Sequence, residues 1–358
     1  MRRRRATEAW LVVLVVVLAS VRCGGATSSR PSEPPRDDVA ATTTVMATSV
    51  ATASGTPEAA TPSPTATSTP GGQTQPPARR VVVLDPGHGG DDPGAASFGI
   101  VERESNLDMA ERIGTALRER GIEVVLTRAT ADRPRVDGRD ATLAGATATF
   151  LDLQDRIAIA NAAQADVFVS IHSNGCVNPD ASGVEVWFDS TRSFAEANRS
   201  LAEAVLSGIE ARAGTSGVAV PVHGLEDDVG VADIAGHTTP LFVLGPTREV
   251  TWEELMGRGI EPSALGVTDP GASFWTDAST MPGVLVELLY VTNPSDAALL
   301  ANDDARSAMA TGVADGIARY LGQLAANENR SASAAGGSSV ANRTVASAPR
   351  PPAGCAPR

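Results

Sequence analysis

The chain has 358 residues, 42% of them hydrophobic but only 4% aromatic, so its core must be built from Val, Leu, Ile and Ala within one large domain or two small ones. A formal net charge of -13 argues against nucleic acid as a partner, and all 29 basic residues are Arg. Three cysteines, Cys23, Cys176 and Cys355, give neither a disulfide framework nor zinc-finger spacing.

The amino terminus reads as an export signal. "MRRRRATEAW" supplies basic charge, and "AWLVVLVVVLAS" continues it with an apolar stretch shorter than the roughly 20 residues of a membrane span. Three outcomes stay open for residues 1–26: cleavage after Ala26, lipidation at Cys23 (with Arg22 where a small residue is usual), or an uncleaved anchor. Each sends the chain out of the cytoplasm, with a possible membrane tether. Residues 27–79 are Ser, Thr, Pro, Ala and Gly with few large apolar groups, the composition of a disordered linker. A tail over 324–358 reads the same way.

Between them, over 80–323, strand and helix signals alternate. "RVVVLDPG" is a buried-strand run. Leu107, Ala110, Ile113 and Leu117 recur at helical spacing. "IEVVLTR" predicts a strand, "LQDRIAIANAAQA" a helix, and "DVFVSIHS" and "GVEVWF" two more strands. Residues 194–213 read as a helix, 284–291 as a strand, and Met309, Val313 and Ile317 mark a last helix. The alternation predicts an α/β fold, a three-layer sandwich with a mostly parallel central sheet flanked by helices. Ligands in such folds bind beyond the carboxyl ends of the strands.

Four His are present. His88 comes just after the first strand and His172 ends the strand "DVFVSI", so both belong to one rim of the sheet. His223 and His237 lie in an irregular stretch and read as structural. The Gly-rich "GHGGDDPG" matches neither the dinucleotide fingerprint nor the Walker loop. Glu102 and Glu104, in "GIVERESNL", stand at a helix start, where carboxylates ordinarily complement the dipole. Two His and a carboxylate with an open position nevertheless form a recognised catalytic zinc arrangement. Glu287, alone in the apolar run "PGVLVELLYVTNP", would then face a cation and a water, taking a proton from that water and returning it to a leaving amine.

Four blocks, in order, resemble the zinc-dependent N-acetylmuramoyl-L-alanine amidases of the type 3 family: "VVVLDPGHGGDDPGA", "GIVERESNLDMAERI", "DRIAIANAAQADVFVSIHSN" and "TMPGVLVELLYVTNPSDAALL". The resemblance spans about residues 80 to 323. It implies one zinc ion held by His88, Glu102 and His172, with Glu287 as the catalytic carboxylate and peptidoglycan as substrate. Glu102 is chosen over Glu104 because it precedes Leu107 in the family's register. Asp85 and Asn174 are candidates for orienting the ligating His residues. Two features depart from the family. Asp277 stands where an Arg often precedes the "MP" pair, and residues 218–265 look like an insertion. That insertion, with Thr251 as a candidate helix cap, reads as a surface elaboration, a substrate-shaping wall or a plug over the rim. Two other functions fit the same fold: a non-catalytic wall-binding or regulatory module, and a zinc peptidase cutting within the stem peptide. Loss of a ligand or of the carboxylate would mark the first, and all four groups are present.

Overall fold

The computed structural model describes residues 79–136, 142–229, 241 and 243–335. The expected leader and linker lie outside these residues, as do Cys23, His237 and Cys355.

The chain opens with β1 (Val81–Pro86), a small hairpin of β2 (Ala96–Ser97) and β3 (Ile100–Val101), and helix α1 (Glu102–Glu119). Next come β4 (Glu123–Leu126), α2 (Gly145–Ala162), β5 (Val167–Asn174), β6 (Val184–Phe188) and α3 (Ala195–Ser216). They are succeeded by β7 (Val222–Asp227), β8 (Glu249–Thr251), α4 (Trp252–Gly257), β9 (Ser273–Trp275), β10 (Gly283–Tyr290), α5 (Pro294–Ala301) and α6 (Asp303–Ala335). Six strands make the central sheet, in the order β4-β1-β5-β10-β6-β7. β4, β1, β5 and β10 run parallel, β6 reverses against β10, and β7 runs with β6.

The near-continuous apolar runs of β1, β5 and β10 are those of strands covered on both faces. On one face, Val82, Leu84, Val169, Val284 and Val286 pack against α1, α3 and α6. On the other, Val83, Phe168 and Leu285 meet Ile157 and Ala160 of α2 together with Val243, Leu244 and Met281. The result is the three-layer sandwich that the alternation predicts. Among the described residues, no helix is long and apolar enough to cross a membrane.

Two expectations change. The stretch 218–265 is not a simple excursion, because it contributes β7 to the sheet. Past β7, Val243 and Leu244 complete the layer beside α2, and Val250, Leu255 and Ile260 pack on Phe150 of that helix. Among the described residues, α2 is the one long helix on that face, and this segment extends the cover it gives the sheet. Thr251 does cap α4, accepting from the Glu254 amide. The last helix, meanwhile, runs to Ala335 instead of giving way to a tail at 324. Its sequence holds no Pro or Gly between Leu324 and Ala335, Leu324 packs on the core, and Glu328 pairs with Arg80.

Helices α3 and α6 approach closely through glycines. A Cβ at Gly208 would lie 2.2 Å from the Gly312 carbonyl, and one at Gly316 would lie 2.4 Å from the Ala204 carbonyl. Backbone cannot yield as a side-chain tip can. Gly208→Ala is therefore expected to destabilise the fold by about 1–3 kcal/mol, read as a lower denaturant midpoint at unchanged slope.

Candidate active site

Alternation along the strands decides which side chains share a face. Val83, Phe168 and Leu285 point toward α2, so Asp85, Ser170, His172 and Glu287 do as well. Glu287 pairs in register with His172 on one side and with Glu185 of β6 on the other. His88 lies just past the end of β1, and Glu102 is the first residue of α1.

His88, Glu102 and His172 converge: each offers a ligand atom, and all three atoms lie within 4.8 Å of one another. Glu102 Oε1 is 2.9 Å from His88 Nε2 and 3.1 Å from His172 Nδ1, and the two imidazoles meet edge to face at 5.0 Å. One carboxylate oxygen thus stands between two ring nitrogens. Glu104 is exposed against Arg103 and takes no part. Glu102 Oε2 accepts from the Ala95 amide, which fixes the carboxylate plane. Room for His172 comes from Gly87, where a Cβ would lie 2.2 Å from the ring.

The His88 backbone sits at φ 63°, in the left-handed region that a side chain other than glycine adopts at a cost of about 1 kcal/mol or more. Two buried arginines hold it there. Arg156, from α2, donates to Asp85 Oδ1 at 2.6 Å, to the Pro86 carbonyl at 2.7 Å and to the His88 carbonyl at 2.6 Å. Arg128 donates to the Pro86 and Gly87 carbonyls, both at 2.8 Å. Asp85 also accepts from Thr127 at 2.6 Å and from Ser170 at 2.7 Å. Burial alone would raise its pKa, but Arg156 and these hydroxyls hold it below the ordinary carboxylate range.

Asp85 therefore acts on the loop through Arg156, and among the described hydrogen bonds it reaches neither imidazole. Asn174 likewise turns away, donating to Glu185 at 3.2 Å. Besides Glu102, the carboxylate that meets one of the two rings is Asp92, whose Oδ2 lies 2.9 Å from His88 Nδ1. Its signal in the sequence is a carboxylate four residues after His88, in a loop too irregular for periodicity to read. Arg128, Arg156 and Glu185 also escape sequence reasoning. His223, read as structural, lies 2.6 Å from Glu185 through Nδ1, with half of its side chain exposed. Asp277 is exposed, its amide held by Gln154.

The electrostatics suit a cation. Burial opposes the charged form of His88, but Glu102 and Asp92 outweigh it and raise its pKa to about 10. Glu102 is held far below its usual value, since the two imidazoles overcome its burial. His172 is pulled down by burial, and the His88 charge adds to this. Glu287 is only 6% exposed, and its Oε2 is buried without a hydrogen-bond partner among the described residues. Burial, then Glu102 and Glu185, push its pKa well above the ordinary range. Two imidazoles, a carboxylate and an orphaned buried oxygen beside them fit a divalent transition-metal ion.

Fold and site together define an α/β domain with a His–Glu–His cluster able to hold a metal ion and a buried carboxylate on the carboxyl edge of its sheet. A family model described as N-acetylmuramoyl-L-alanine amidase matches residues 82–319. The N-acetylmuramoyl-L-alanine amidase AmiA of Escherichia coli (strain K12) is 31% identical over 251 residues, which span 68% of this chain and 76% of that protein. The amidase AmiC of Neisseria meningitidis serogroup B is 31% identical over 245 residues, 68% of this chain and 53% of that one. Among solved structures, the amidase AmiC2 of Nostoc punctiforme is 27% identical, with 68% of this chain and 97% of that chain covered and a TM-score of 0.45. The chain belongs to the N-acetylmuramoyl-L-alanine amidase family.

The site's geometry sets two measurable outcomes. Arg156→Met leaves Asp85 buried without its cation and is expected to destabilise the metal-free protein by about 3–5 kcal/mol in chemical unfolding. With its pKa raised by Glu102 and Asp92, His88 is expected to carry a proton at neutral pH when no cation competes for the ring, and a divalent ion binding there would displace it. Calorimetric titration at pH 7, in buffers of differing ionisation enthalpy, should report release of about one proton or more, with affinity falling as pH is lowered.

Proposed function

We propose that this chain is a zinc-dependent hydrolase that cleaves the amide between the lactyl group of N-acetylmuramic acid and the L-Ala of the peptidoglycan stem peptide. The observation that carries this reading is Glu287, a buried carboxylate with an unpartnered oxygen, next in register to His172 of a His–Glu–His set. The family and the names of the relatives supply the substrate. Such a substrate lies outside the cytoplasm, which agrees with the export signal read from residues 1–26.

His88, Glu102 and His172 hold the ion. When bound, zinc supplies Lewis-acid polarisation of the scissile carbonyl and acidifies the attacking water. Glu102 offers the anionic ligand, and its two imidazole neighbours stay neutral in that state. Asp92 keeps the His88 ring in the tautomer that leaves Nε2 free to ligate. Glu287 then performs the proton chemistry. It takes a proton from the attacking water as the carbonyl carbon is attacked, and delivers it to the nitrogen of L-Ala as the C–N bond breaks. Its place on a fully buried strand fixes the carboxylate between the ligand set and the leaving amine, so no reorganisation is needed during reaction. The Arg156 and Arg128 clamp keeps His88 in place throughout.

Mass analysis of digested peptidoglycan tests the reaction. The expected products are intact glycan with a free lactyl carboxylate and stem peptides beginning at L-Ala; cleavage within the stem would instead mark a peptidase. Glu287→Gln keeps the shape but cannot accept a proton, so turnover should fall by about 10² to 10⁴ with zinc content unchanged. Wild-type turnover in that variant would remove Glu287 from the mechanism. His88→Ala and His172→Ala should each abolish zinc binding in metal analysis, as should Glu102→Ala, while Glu104→Ala retains the metal.

A further inference from the structure

Beside Glu287 lies a second buried carboxylate that the proton chemistry does not use. Glu185 is 3% exposed and accepts four donors: the Tyr290 hydroxyl, His223 Nδ1 at 2.6 Å, Asn174 Nδ2 at 3.2 Å and Trp187 Nε1 at 3.2 Å. These donors come from three elements besides Glu185's own strand, so the knot is assembled by the tertiary fold.

Two β-bulges create it. In β10 the pairing with β5 slips by one residue between Glu287 and Tyr290, and Leu289 takes φ 72°. Without the slip, Tyr290 would face away from Glu287; with it, the hydroxyl reaches Glu185. In β7 the pairing with β6 jumps from Val184↔Val222 to Glu185↔Gly224 and leaves His223 as the extra residue. Bulges cluster next to active sites because they re-aim side chains. Here both re-aim onto the same carboxylate. For His223 the consequence is specific. Nδ1 is tied to a buried acceptor while the side chain is 49% exposed, which leaves Nε2, across the ring, as the nitrogen without that tie. A carboxylate that fixes an imidazole tautomer and leaves the other nitrogen outward is a device for presenting that nitrogen to a ligand.

Position gives the ligand. Glu287 returns a proton to the leaving amine, so the amine side of the scissile bond lies toward β10, and the carbonyl lies toward the ligand set on β1 and β5. A stem peptide attached at the amine and extended away from the ligand set would then continue across β6 and β7. His223 stands two strands from Glu287, roughly 10 Å at strand spacing. An extended peptide advances about 3.3–3.6 Å per residue, which brings its third residue to that point. We infer that His223, aimed by Glu185, hydrogen-bonds a polar group of the stem peptide near its third residue, with Glu185 as the positioning residue. This inference rests on the amidase reading.

Kinetics of the zinc-loaded, full-length protein on N-acetylmuramyl dipeptide and on the corresponding tripeptide test it. His223→Ala should raise KM on the tripeptide about ten-fold relative to its effect on the dipeptide, with kcat within about two-fold, as loss of one net hydrogen bond requires. His223→Gln should recover part of that ratio. Glu185→Gln should shift KM in the same direction and add nothing to His223→Ala in the double variant. Independently, the His223 ring nitrogens in Glu287→Gln protein should shift in NMR spectra when free stem tripeptide is added. Equal KM changes on both substrates, no change on either, or an unmoved ring signal each overturn the contact. If the wild-type protein releases peptide from neither substrate, the amidase reading fails, and the ring titration alone then decides the His223 contact.

Discussion

The site depends on a cation that is not a metal. Arg156 reaches from α2 through the sheet face to Asp85, and the same guanidinium takes the carbonyls of Pro86 and His88. Arg128 takes the remaining carbonyl, that of Gly87, and shares Pro86. Three successive backbone oxygens, from the last residue of β1 onward, are thereby turned toward fixed positive charge. Left free, a Gly-rich loop would sample many conformations, and the left-handed backbone of His88 would relax. A buried pair of this kind contributes little net stability against an apolar replacement, so its value is in geometry. It converts a Gly-rich turn into a rigid mount for His88 and leaves His172 to strand β5 and Glu102 to the first turn of α1.

Around this mount the protein buries three carboxylates on neighbouring elements and compensates each differently. Glu102 stays ionised between two imidazoles. Glu185 is surrounded by four hydrogen-bond donors. Glu287 has neither, and burial makes a proton its only means of neutrality until a cation arrives. That difference underlies the separate roles proposed for them, ligand, positioning group and proton carrier, although all three are the same residue type. Chemical role is set by surroundings, and the sheet register sets the surroundings.

Much of this is legible in the residues. The strands and major helices are announced by apolar runs and helical spacing, and His88, His172 and Glu287 stand at strand ends or in strands where a polar group needs a reason. Family register, more than physics, distinguishes Glu102 from Glu104, and the structure brings Glu102 against both rings. What stays hidden involves reach and half-burial. Arg156 reads as the polar face of an amphipathic helix, because periodicity says nothing of where a long side chain ends. Glu185 reads as the outward residue of an alternating strand, since "GVEVWF" does not reveal that β7 covers it. β7 itself escapes notice because "VHGLED" carries a Gly and three ionisable groups, the pattern of a loop as much as of an edge strand. The end of α6 is hidden because its Ala-rich, polar composition resembles a tail until Leu324 and Glu328 are seen to find partners.

The pairing of Arg80 with Glu328 and Asp166 has a mechanical consequence. It joins the start of β1 to the far part of α6 at the amino edge of the parallel strands, about 20 Å of strand away from the edge that carries His88 and His172. The domain is therefore clasped at the start of its first strand, where Arg80 ties β1 to the longest of the described helices. A change at the clasp therefore reaches the edge that carries His88 and His172 only through the length of β1.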